Sequence, residues 1–410
     1  MSADPWFQTL FADRIGGADY GKGTAIYKFE KIKRAKRQAL ADHPNRKLLD
    51  FGIGENDEMA APVVRETLKS EVDKPENRGY ADNGIAAFKE AAAAFMRRQF
   101  GVTLDPVTEV CHCIGSKPAY AMLPACFINP GDVTLMTVPG YPVAGTYTRY
   151  YGGEVHRLPL TASNGFYPDL DGIPADVKKR AKLLVLNYPN SPTGAVATTD
   201  FYKRVIDWAL TNKVVVVQDA AHILLTYQGE PLSFLQVDGA REVGVEVHSM
   251  SKGFDMIGWR MGWVCGHPKL VQAYADVKDN SDSGQFMAVQ QAAAEALRHP
   301  EIPERIRAKY RRRLEKLVAA LTQVGFRCAM PGGTYFLYAN APVAAGDRSF
   351  ASAEEASQFL IREQSVCCVP WDDAGPYLRF SVTYIAKDEA EEDALMAETV
   401  QRLKGLNLRF

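Results

Sequence analysis

Two short apolar runs separated by a helical pattern constrain the fold of this chain more than any other feature. Residues 181–186 and 213–218 are strongly apolar, and residues 200–210 between them show helical spacing. Apolar runs of this length are typical of strands buried on both faces of a parallel sheet. Further strands are predicted at residues 109–114, 132–138 and 154–158. The alternation of strands and helices predicts an α/β fold with a layered sheet.

The composition excludes several classes of protein. The chain has 410 residues, 47% of them hydrophobic, and a formal net charge of -1. This length allows two domains, and the near-neutral charge gives no support for nucleic-acid or anionic-membrane partners. No apolar run approaches the roughly 20 residues of a membrane span, and the N-terminus lacks the pattern of a secretory signal. The seven cysteines lack C-x-x-C spacing, so we expect a cytoplasmic protein with neither a metal site nor disulfides.

The pattern changes along the chain in a way that indicates separate units. Residues 1–27 are irregular and rich in Gly and aromatic residues, so this arm is expected either to stay unattached or to lie on another surface, such as a second subunit. After Gly325 a smaller α+β unit is predicted, with an exposed loop at residues 344–348 and a strand at residues 365–370. The predicted division is an N-terminal arm (1–27), part of a small domain (28–60), a large domain (61–300) and a small C-terminal domain (301–410).

A lysine follows the predicted strand at residues 242–248, in the sequence Ser-Met-Ser-Lys that ends at Lys252. Lysine amines form Schiff bases with carbonyl compounds once their pKa is lowered. Ser249, Ser251 and Arg260 provide hydroxyl donors and a guanidinium fork, which suit a phosphate. The alternative is an exposed lysine in a turn with a helix-capping serine.

Other polar residues also follow predicted strands. Ser116 and Lys117 open a helix, where backbone N–H groups bind anions, although a plain N-cap explains them as well. Tyr141 could lie flat on an aromatic ligand, but taken alone it is more typical of a core residue. Asn190 lies in a rigid Pro-rich turn that is either a ligand crevice or an ordinary surface turn.

Two charged residues in apolar strands need partners. Asp219 ends a very apolar run, and it either caps the next turn or pairs with a cation such as a protonated pyridine nitrogen. Arg379 lies mid-strand among apolar neighbours, where either a substrate carboxylate or an internal Asp or Glu would satisfy it.

Together these residues resemble the fold-type I, class I/II pyridoxal-phosphate (PLP) aminotransferases. The resemblance covers nearly the whole chain and implies a large domain with a mostly parallel seven-stranded sheet between helices, plus a smaller α+β domain. It implies that Lys252 binds PLP covalently and moves the substrate proton, that Asp219 pairs with the pyridine nitrogen and that Tyr141 stacks on the ring. It also implies that Arg379 holds the substrate α-carboxylate. The implied phosphate ligands are Ser116, Lys117, Ser249, Ser251 and Arg260.

Within this class the chain most resembles LL-diaminopimelate aminotransferases, as the residues around Tyr27, Gly54, Tyr80 and Arg379 indicate. The resemblance implies that Tyr27 and Gly54 face the substrate. It implies a homodimer with shared active sites, in which Tyr80 reaches the phosphate of the neighbouring subunit.

Two positions depart from the class pattern. Ser191 replaces the asparagine, and His222 the tyrosine, that usually bond the 3′-oxygen of the cofactor. Asn187 or Asn190 could substitute as donor. The change is either an internally compensated pair or a mark of altered chemistry.

Three functions are therefore weighed. The first is a transaminase acting between an amino acid, LL-2,6-diaminopimelate above all, and 2-oxoglutarate. The second is a PLP enzyme that catalyses elimination, replacement or cyclisation on an amino acid. The third, a non-enzymatic binding protein on the same fold, is disfavoured by the complete set of cofactor residues.

Overall fold

The computed structural model describes residues 5–22 and 28–410. The helices are α1 (Pro5–Gln8), α2 (Lys28–Asp42), α3 (Pro62–Val72), α4 (Ala86–Phe100), α5 (Ser116–Phe127), α6 (Val143–Tyr150), α7 (Ala175–Arg180), α8 (Thr199–Asn212), α9 (Ala240–Val243), α10 (Met250–Gly253), α11 (Pro268–Asp279), α12 (Met287–Leu297), α13 (Glu301–Gln323), α14 (Ala353–Gln364) and α15 (Glu389–Leu403). The strands are β1 (Leu49–Asp50), β2 (Val110–Cys113), β3 (Val133–Val138), β4 (Glu154–Pro159), β5 (Ala181–Asn187), β6 (Val215–Asp219), β7 (Gly244–Ser249), β8 (Gly262–Gly266), β9 (Phe336–Asn340), β10 (Ala344–Ala345), β11 (Arg348–Ser349), β12 (Val366–Cys367), β13 (Val369–Trp371), β14 (Tyr377–Ser381) and β15 (Leu408–Arg409).

The largest sheet among the described residues has seven strands in the order β2-β8-β7-β6-β5-β3-β4. Only β8 runs antiparallel to its neighbours, so the carboxyl ends of the other six strands lie at one edge. The register pairs Asn187 with Asp219 and Asp219 with Val247. The predicted α/β fold with a mostly parallel seven-stranded sheet is confirmed.

The strands β5 and β6 are apolar throughout because helices cover both faces of the sheet. On β5, Leu184 and Leu186 belong to the apolar core on one face, whereas Leu183 and Val185 belong to the core on the other. Successive strand residues point to opposite faces, so a strand in the middle of such a sheet needs an unbroken apolar run. The sequence pattern therefore has a direct packing cause.

The helix α8 connects β5 to β6 and shows how the sequence sets an element's limits. Thr198 caps its start, since the Thr198 hydroxyl accepts a hydrogen bond from the Phe201 N–H at 3.1 Å. Lys213 ends it in the left-handed conformation, with φ 57°. The cap satisfies one of the orphan N–H groups of the first turn, and the apolar side chains of one helix face are buried on the sheet.

The C-terminal part of the chain contains smaller sheets. One has the order β13-β14-β9, and β1 pairs in parallel with β12. This pairing joins residues 49–50 to residues 366–367, which supports the prediction that residues 28–60 belong with the C-terminal unit. The domain limits at residues 60 and 300 stay a prediction.

Two local predictions are wrong. The strand predicted over residues 365–370 is two strands, because β12 pairs with β1 whereas β13 pairs with β14. The segment 344–348 is a hairpin of β10 and β11 rather than a loop: residues 346–348 are exposed as predicted, but β15 covers β10 on its other side. Ala344 and Ala345 are buried there. The long-range pairing with β15 could not be read from the local sequence.

No helix in residues 5–22 and 28–410 has both the length and the apolar character needed to cross a membrane.

Candidate active site

The loops at the carboxyl edge of the large sheet surround one cavity of about 680 Å³. Ligands of open α/β sheets bind at this edge, as the sequence predicted. The predicted site residues that line the cavity are Gly54, Ser116, Lys117, Tyr141, Ser191, Asp219, His222, Ser249, Ser251, Lys252, Arg260 and Arg379. The fold thus gathers side chains from five strand ends and from the C-terminal unit.

Lys252 lies in the short helix α10, directly after β7. Its Nζ donates a hydrogen bond to the Gly54 carbonyl oxygen at 3.0 Å and lies 5.3 Å from the centre of the Tyr335 ring. Burial lowers the pKa of Lys252 to about 8, although the nearby Glu55 carboxylate opposes the shift. The alternative of an exposed lysine in a turn is therefore wrong, and the amine has the lowered pKa that imine formation requires.

Asp219 is buried at the end of β6. One carboxylate oxygen accepts a hydrogen bond from the Ala221 N–H at 3.0 Å. Burial raises the pKa of Asp219 to about 6. The Ala221 N–H, the nearby Tyr120 hydroxyl and the charges of His248 and Lys252 act in the opposite direction and lower it. The Tyr120 hydroxyl lies near the Asp219 carboxylate but does not have the geometry of a hydrogen bond to it. A cationic ligand group in the cavity would stabilise the ionised carboxylate.

A polar cradle lies where α5 and α10 begin. Arg260 Nη1 donates to the Ser251 hydroxyl at 3.3 Å. A Cβ added to Gly115, which has φ +75°, would lie 2.2 Å from Arg260 Nη2, so only glycine allows this approach. Gly115 caps α5 without a side-chain bond, so capping does not use the Ser116 hydroxyl. The cradle combines hydroxyls, a guanidinium and a helix start, which suits a phosphate.

Arg379 in β14 is only 6% exposed and lines the cavity. Its Nη2 donates to the Gly52 carbonyl oxygen at 3.2 Å, and its guanidinium lies 4.1 Å from the Phe336 ring centre. The Nε atom has no hydrogen-bond partner among the described residues, and no carboxylate of residues 5–22 or 28–410 forms an ion pair with Arg379. Burial lowers the pKa of Arg379 to about 10. The predicted internal Asp or Glu partner is absent from this part of the chain, which favours an external carboxylate.

Tyr141 corrects an expectation drawn from the residues alone. It is 42% exposed and lines the cavity, so it is not a core residue. It follows β3 at the sheet edge, where its ring can face a planar ligand.

Asn190 is the predicted site residue that the structure places elsewhere. It is fully buried and absent from the cavity lining. Its Nδ2 donates to the Pro139 carbonyl oxygen at 3.3 Å, and its Oδ1 accepts from the Thr193 hydroxyl at 2.7 Å. Because the turn uses both ends of the amide, the predicted contacts of Asn190 with cofactor and substrate are wrong. Asn187 lines the cavity beside Asp219 instead.

His222 and Ser191, the two departures from the class pattern, both line the cavity. His222 is buried, and its Nδ1 has no hydrogen-bond partner among the described residues. Burial, with the positive charges of Lys252 and Arg379, lowers the pKa of His222, so its ring is neutral. This Nδ1 is therefore available for a ligand contact.

One other predicted residue among those described, Tyr80, lies away from this cavity. Tyr80 is 82% exposed and does not line it. Tyr27 lies outside the described residues. The aromatic wall formed by Phe336 and Trp371, the Tyr335 ring beside Lys252 and the carboxylate of Glu55 were missed. Aromatic residues in an apolar strand give no local signal that separates a cavity wall from a core.

The described residues fit PLP by their donor set and by their unsatisfied atoms. The cradle around Arg260 suits its phosphate, the buried Asp219 carboxylate suits a protonated ring nitrogen, and Lys252 supplies the amine. His222, which lines the same cavity, adds an unpartnered Nδ1. Nothing among these side chains opposes the fit.

Comparison with known proteins agrees with this geometry. Residues 46–395 match the family model "Aminotransferase class I and II". The chain is 55% identical to an LL-diaminopimelate aminotransferase of Methanocaldococcus jannaschii and 52% identical to one of Methanococcus maripaludis, each over 99% of this chain and all of the relative.

Solved structures show the same fold. A substrate-bound BacF structure from Bacillus subtilis has a TM-score of 0.86, with 30% identity over 98% of both chains. A mutant aspartate aminotransferase of Thermus thermophilus has a TM-score of 0.83, with 25% identity over 96% of this chain and 99% of that one. The predicted enzyme class and its nearest resemblance are confirmed, and the chain belongs to the class I and II aminotransferase family.

Proposed function

We propose that the protein is a PLP-dependent aminotransferase that moves an amino group between LL-2,6-diaminopimelate and 2-oxoglutarate. The observation that carries the proposal is a single cavity that holds both the low-pKa amine of Lys252 and the buried, unpaired guanidinium of Arg379. The substrate is supported by the names of two relatives that match the whole chain at 55% and 52% identity.

Bound PLP supplies an aldehyde that reacts with amines and a ring that withdraws electrons from the substrate carbon. Asp219 would hold the ring nitrogen in its protonated form, because a buried carboxylate favours a cationic partner. Ser116, Lys117, Ser249, Ser251 and Arg260 would bind the phosphate, and Tyr141 would cover the ring. Asn187, Ser191 and His222 are left to contact the 3′-oxygen.

Lys252 has two roles in the proposal. Its neutral amine would hold the cofactor covalently, and the same Nζ, when it is not bonded to the cofactor, would take and return the substrate proton. A pKa of about 8 leaves a useful fraction of the amine neutral near neutral pH. The Gly54 carbonyl oxygen, at 3.0 Å, orients Nζ when it is not bonded to the cofactor.

Arg379 would bind the α-carboxylate shared by the amino donor and the 2-oxo acid. Its Nε is unpartnered and its fork is fixed by the Phe336 ring, so a carboxylate gains charge-assisted hydrogen bonds without reorganising the site. Gly54 and Tyr27 stay as predicted substrate contacts.

We also propose a homodimer with shared active sites. Tyr80 is exposed and lies outside its own chain's cavity, which suits a residue that completes the site of a second copy. The N-terminal segment also exposes Trp6, Phe7 and Leu10, and exposed apolar patches are typical of contact surfaces.

The test is a product balance with purified protein, PLP, LL-diaminopimelate and 2-oxoglutarate. Transamination predicts one glutamate for each diaminopimelate consumed and no ammonia. Ammonia without glutamate would instead support elimination, the reaction that the change at Ser191 and His222 keeps under consideration. A panel that includes meso-diaminopimelate and aspartate identifies the donor, and Lys252→Ala serves as the inactive control.

A further inference from the structure

One short segment contacts both ends of the reaction site. Residues 52–58 follow β1 and form part of the cavity wall. The Gly52 carbonyl oxygen accepts a hydrogen bond from Arg379 Nη2 at 3.2 Å, and the Gly54 carbonyl oxygen accepts one from Lys252 Nζ at 3.0 Å. Two carbonyl groups two residues apart thus set the spacing between the amine and the guanidinium.

The same segment also holds the backbone of Lys252. Asn56 Nδ2 donates to the Lys252 carbonyl oxygen at 2.8 Å and to the Asp255 carboxylate at 2.5 Å. The Tyr335 hydroxyl donates to the Gly54 carbonyl oxygen at 2.6 Å. Lys252 is therefore fixed at its amine and at its main chain by neighbouring residues of one segment.

Asp57 anchors this segment to α13. Its carboxylate accepts from Lys309 Nζ at 2.8 Å, the Tyr310 hydroxyl at 3.1 Å and Arg313 Nη1 at 3.0 Å. The side chains of Asp57 and Arg313 are only 4% and 2% exposed. Water screens buried ion pairs little, and removal of one partner leaves the other charge buried and unpaired, so loss of Asp57 should cost more than loss of a surface ion pair. Asp57 itself is absent from the cavity lining.

We propose that Asp57 is a positioning residue for amino transfer, because its three bonds to α13 fix residues 52–58 and thereby the spacing between Lys252 and Arg379. The proposal rests on the proposed function of those two residues. A shift of about 1 Å in a reacting group costs on the order of 100-fold in rate, so an anchor outside the cavity affects turnover through the groups that it holds.

The test compares Asp57→Asn with a matched control, Glu392→Gln. The Glu392 side chain is 2% exposed and accepts from Arg313 Nε at 2.7 Å. It pairs with the same arginine but lies on α15, outside the segment. Both variants remove one buried carboxylate charge from Arg313, so both should lower the unfolding temperature. Only Asp57→Asn should move the segment.

Two readouts separate positioning from stability. In cofactor-loaded protein, Asp57→Asn should lower kcat/KM about 10- to 100-fold and shift the pH midpoint of the visible absorbance by about half a unit or more. Glu392→Gln should leave both quantities near wild type. Tyr310→Phe removes one hydroxyl bond to Asp57 and should shift the midpoint less, in the same direction as Asp57→Asn.

Each outcome decides the proposal. If Asp57→Asn and Glu392→Gln alter rate and midpoint equally, Asp57 is merely structural and the proposal is wrong. If Asp57→Asn does not fold, Tyr310→Phe decides, and a wild-type midpoint in that variant overturns the proposal. Wild-type protein that neither binds PLP nor transfers amino groups would instead contradict the proposed function.

Discussion

The Lys252 amine and the Gly54 carbonyl oxygen lie 3.0 Å apart, although 198 residues separate them in sequence. This hydrogen bond joins the end of β7 to the segment after β1, and so connects the large sheet to the part of the chain that pairs with the C-terminal unit. The cavity that holds the site is formed where these two parts meet. A site built this way depends on residues that no local motif connects.

The reaction of Lys252 with PLP should depend on pH. Burial lowers the pKa of Lys252 to about 8, well below that of an exposed lysine. Below this pKa the amine is protonated and not nucleophilic, so the rate of loading cofactor-free protein should rise with pH and level off above about 8. Stopped-flow absorbance measures the rate. A midpoint near that of an exposed lysine would contradict the burial of the amine.

Replacement of Arg379 by methionine should separate activity from stability. The variant should lose about 100-fold or more in kcat/KM, because the carboxylate loses a charged partner. Its unfolding temperature should not fall, since a buried arginine without an ion pair is costly and an apolar side chain of similar length is tolerated. Steady-state kinetics and thermal denaturation measure the two effects. A strongly destabilised variant would indicate an internal partner for Arg379.

Replacement of Asn190 should affect stability, whereas replacement of Asn187 should affect the absorbance of the bound cofactor. Asn190→Ala should destabilise the protein by about 1–3 kcal/mol, because Thr193 loses a buried acceptor, and should leave the absorbance of the bound cofactor unchanged. Asn187→Ala should change that absorbance, since Asn187 lines the cavity beside Asp219. Denaturant titration and visible spectra of both variants provide the comparison. Equal spectral shifts in the two variants would show that Asn190 contacts the cofactor.

Subunit mixing tests the position of Tyr80. Tyr80→Ala should weaken PLP binding, and Lys252→Ala should be inactive. If sites are shared, a hybrid dimer of the two variants keeps one site with both native residues, so an equal mixture should recover about a quarter of wild-type activity by random pairing. Size-exclusion chromatography confirms the dimer. No recovery after verified exchange would place Tyr80 and Lys252 in one chain's site.

Much of this fold can be predicted from the sequence because its central strands belong to a sheet that helices cover on both faces. The burial of β5 and β6 on both faces requires continuous apolar runs, and these runs are visible without any structure. The burial of β10 was missed because its second pairing partner, β15, lies about sixty residues further along the chain. Local patterns carry no information about such pairings.

Some residues of the candidate site could likewise be predicted from the sequence, and others could not. Lys252, Asp219 and Arg260 follow or precede strands of one sheet, so their convergence follows from the topology. Asn190 was misassigned because spacing alone cannot show that its amide is used within the turn. Glu55 and Asp57 have no motif; their importance appears only from the effect of the Glu55 charge on the pKa of Lys252 and from the hydrogen bonds of Asp57 to α13.

The most direct test of the central claim is mass spectrometry of the PLP-loaded protein after borohydride reduction, with and without prior LL-diaminopimelate. We expect a reduced cofactor on the peptide that contains Lys252, its loss after the amino donor is added, and its return after 2-oxoglutarate. A label on another lysine, or a label at Lys252 that no amino donor removes, would contradict this expectation.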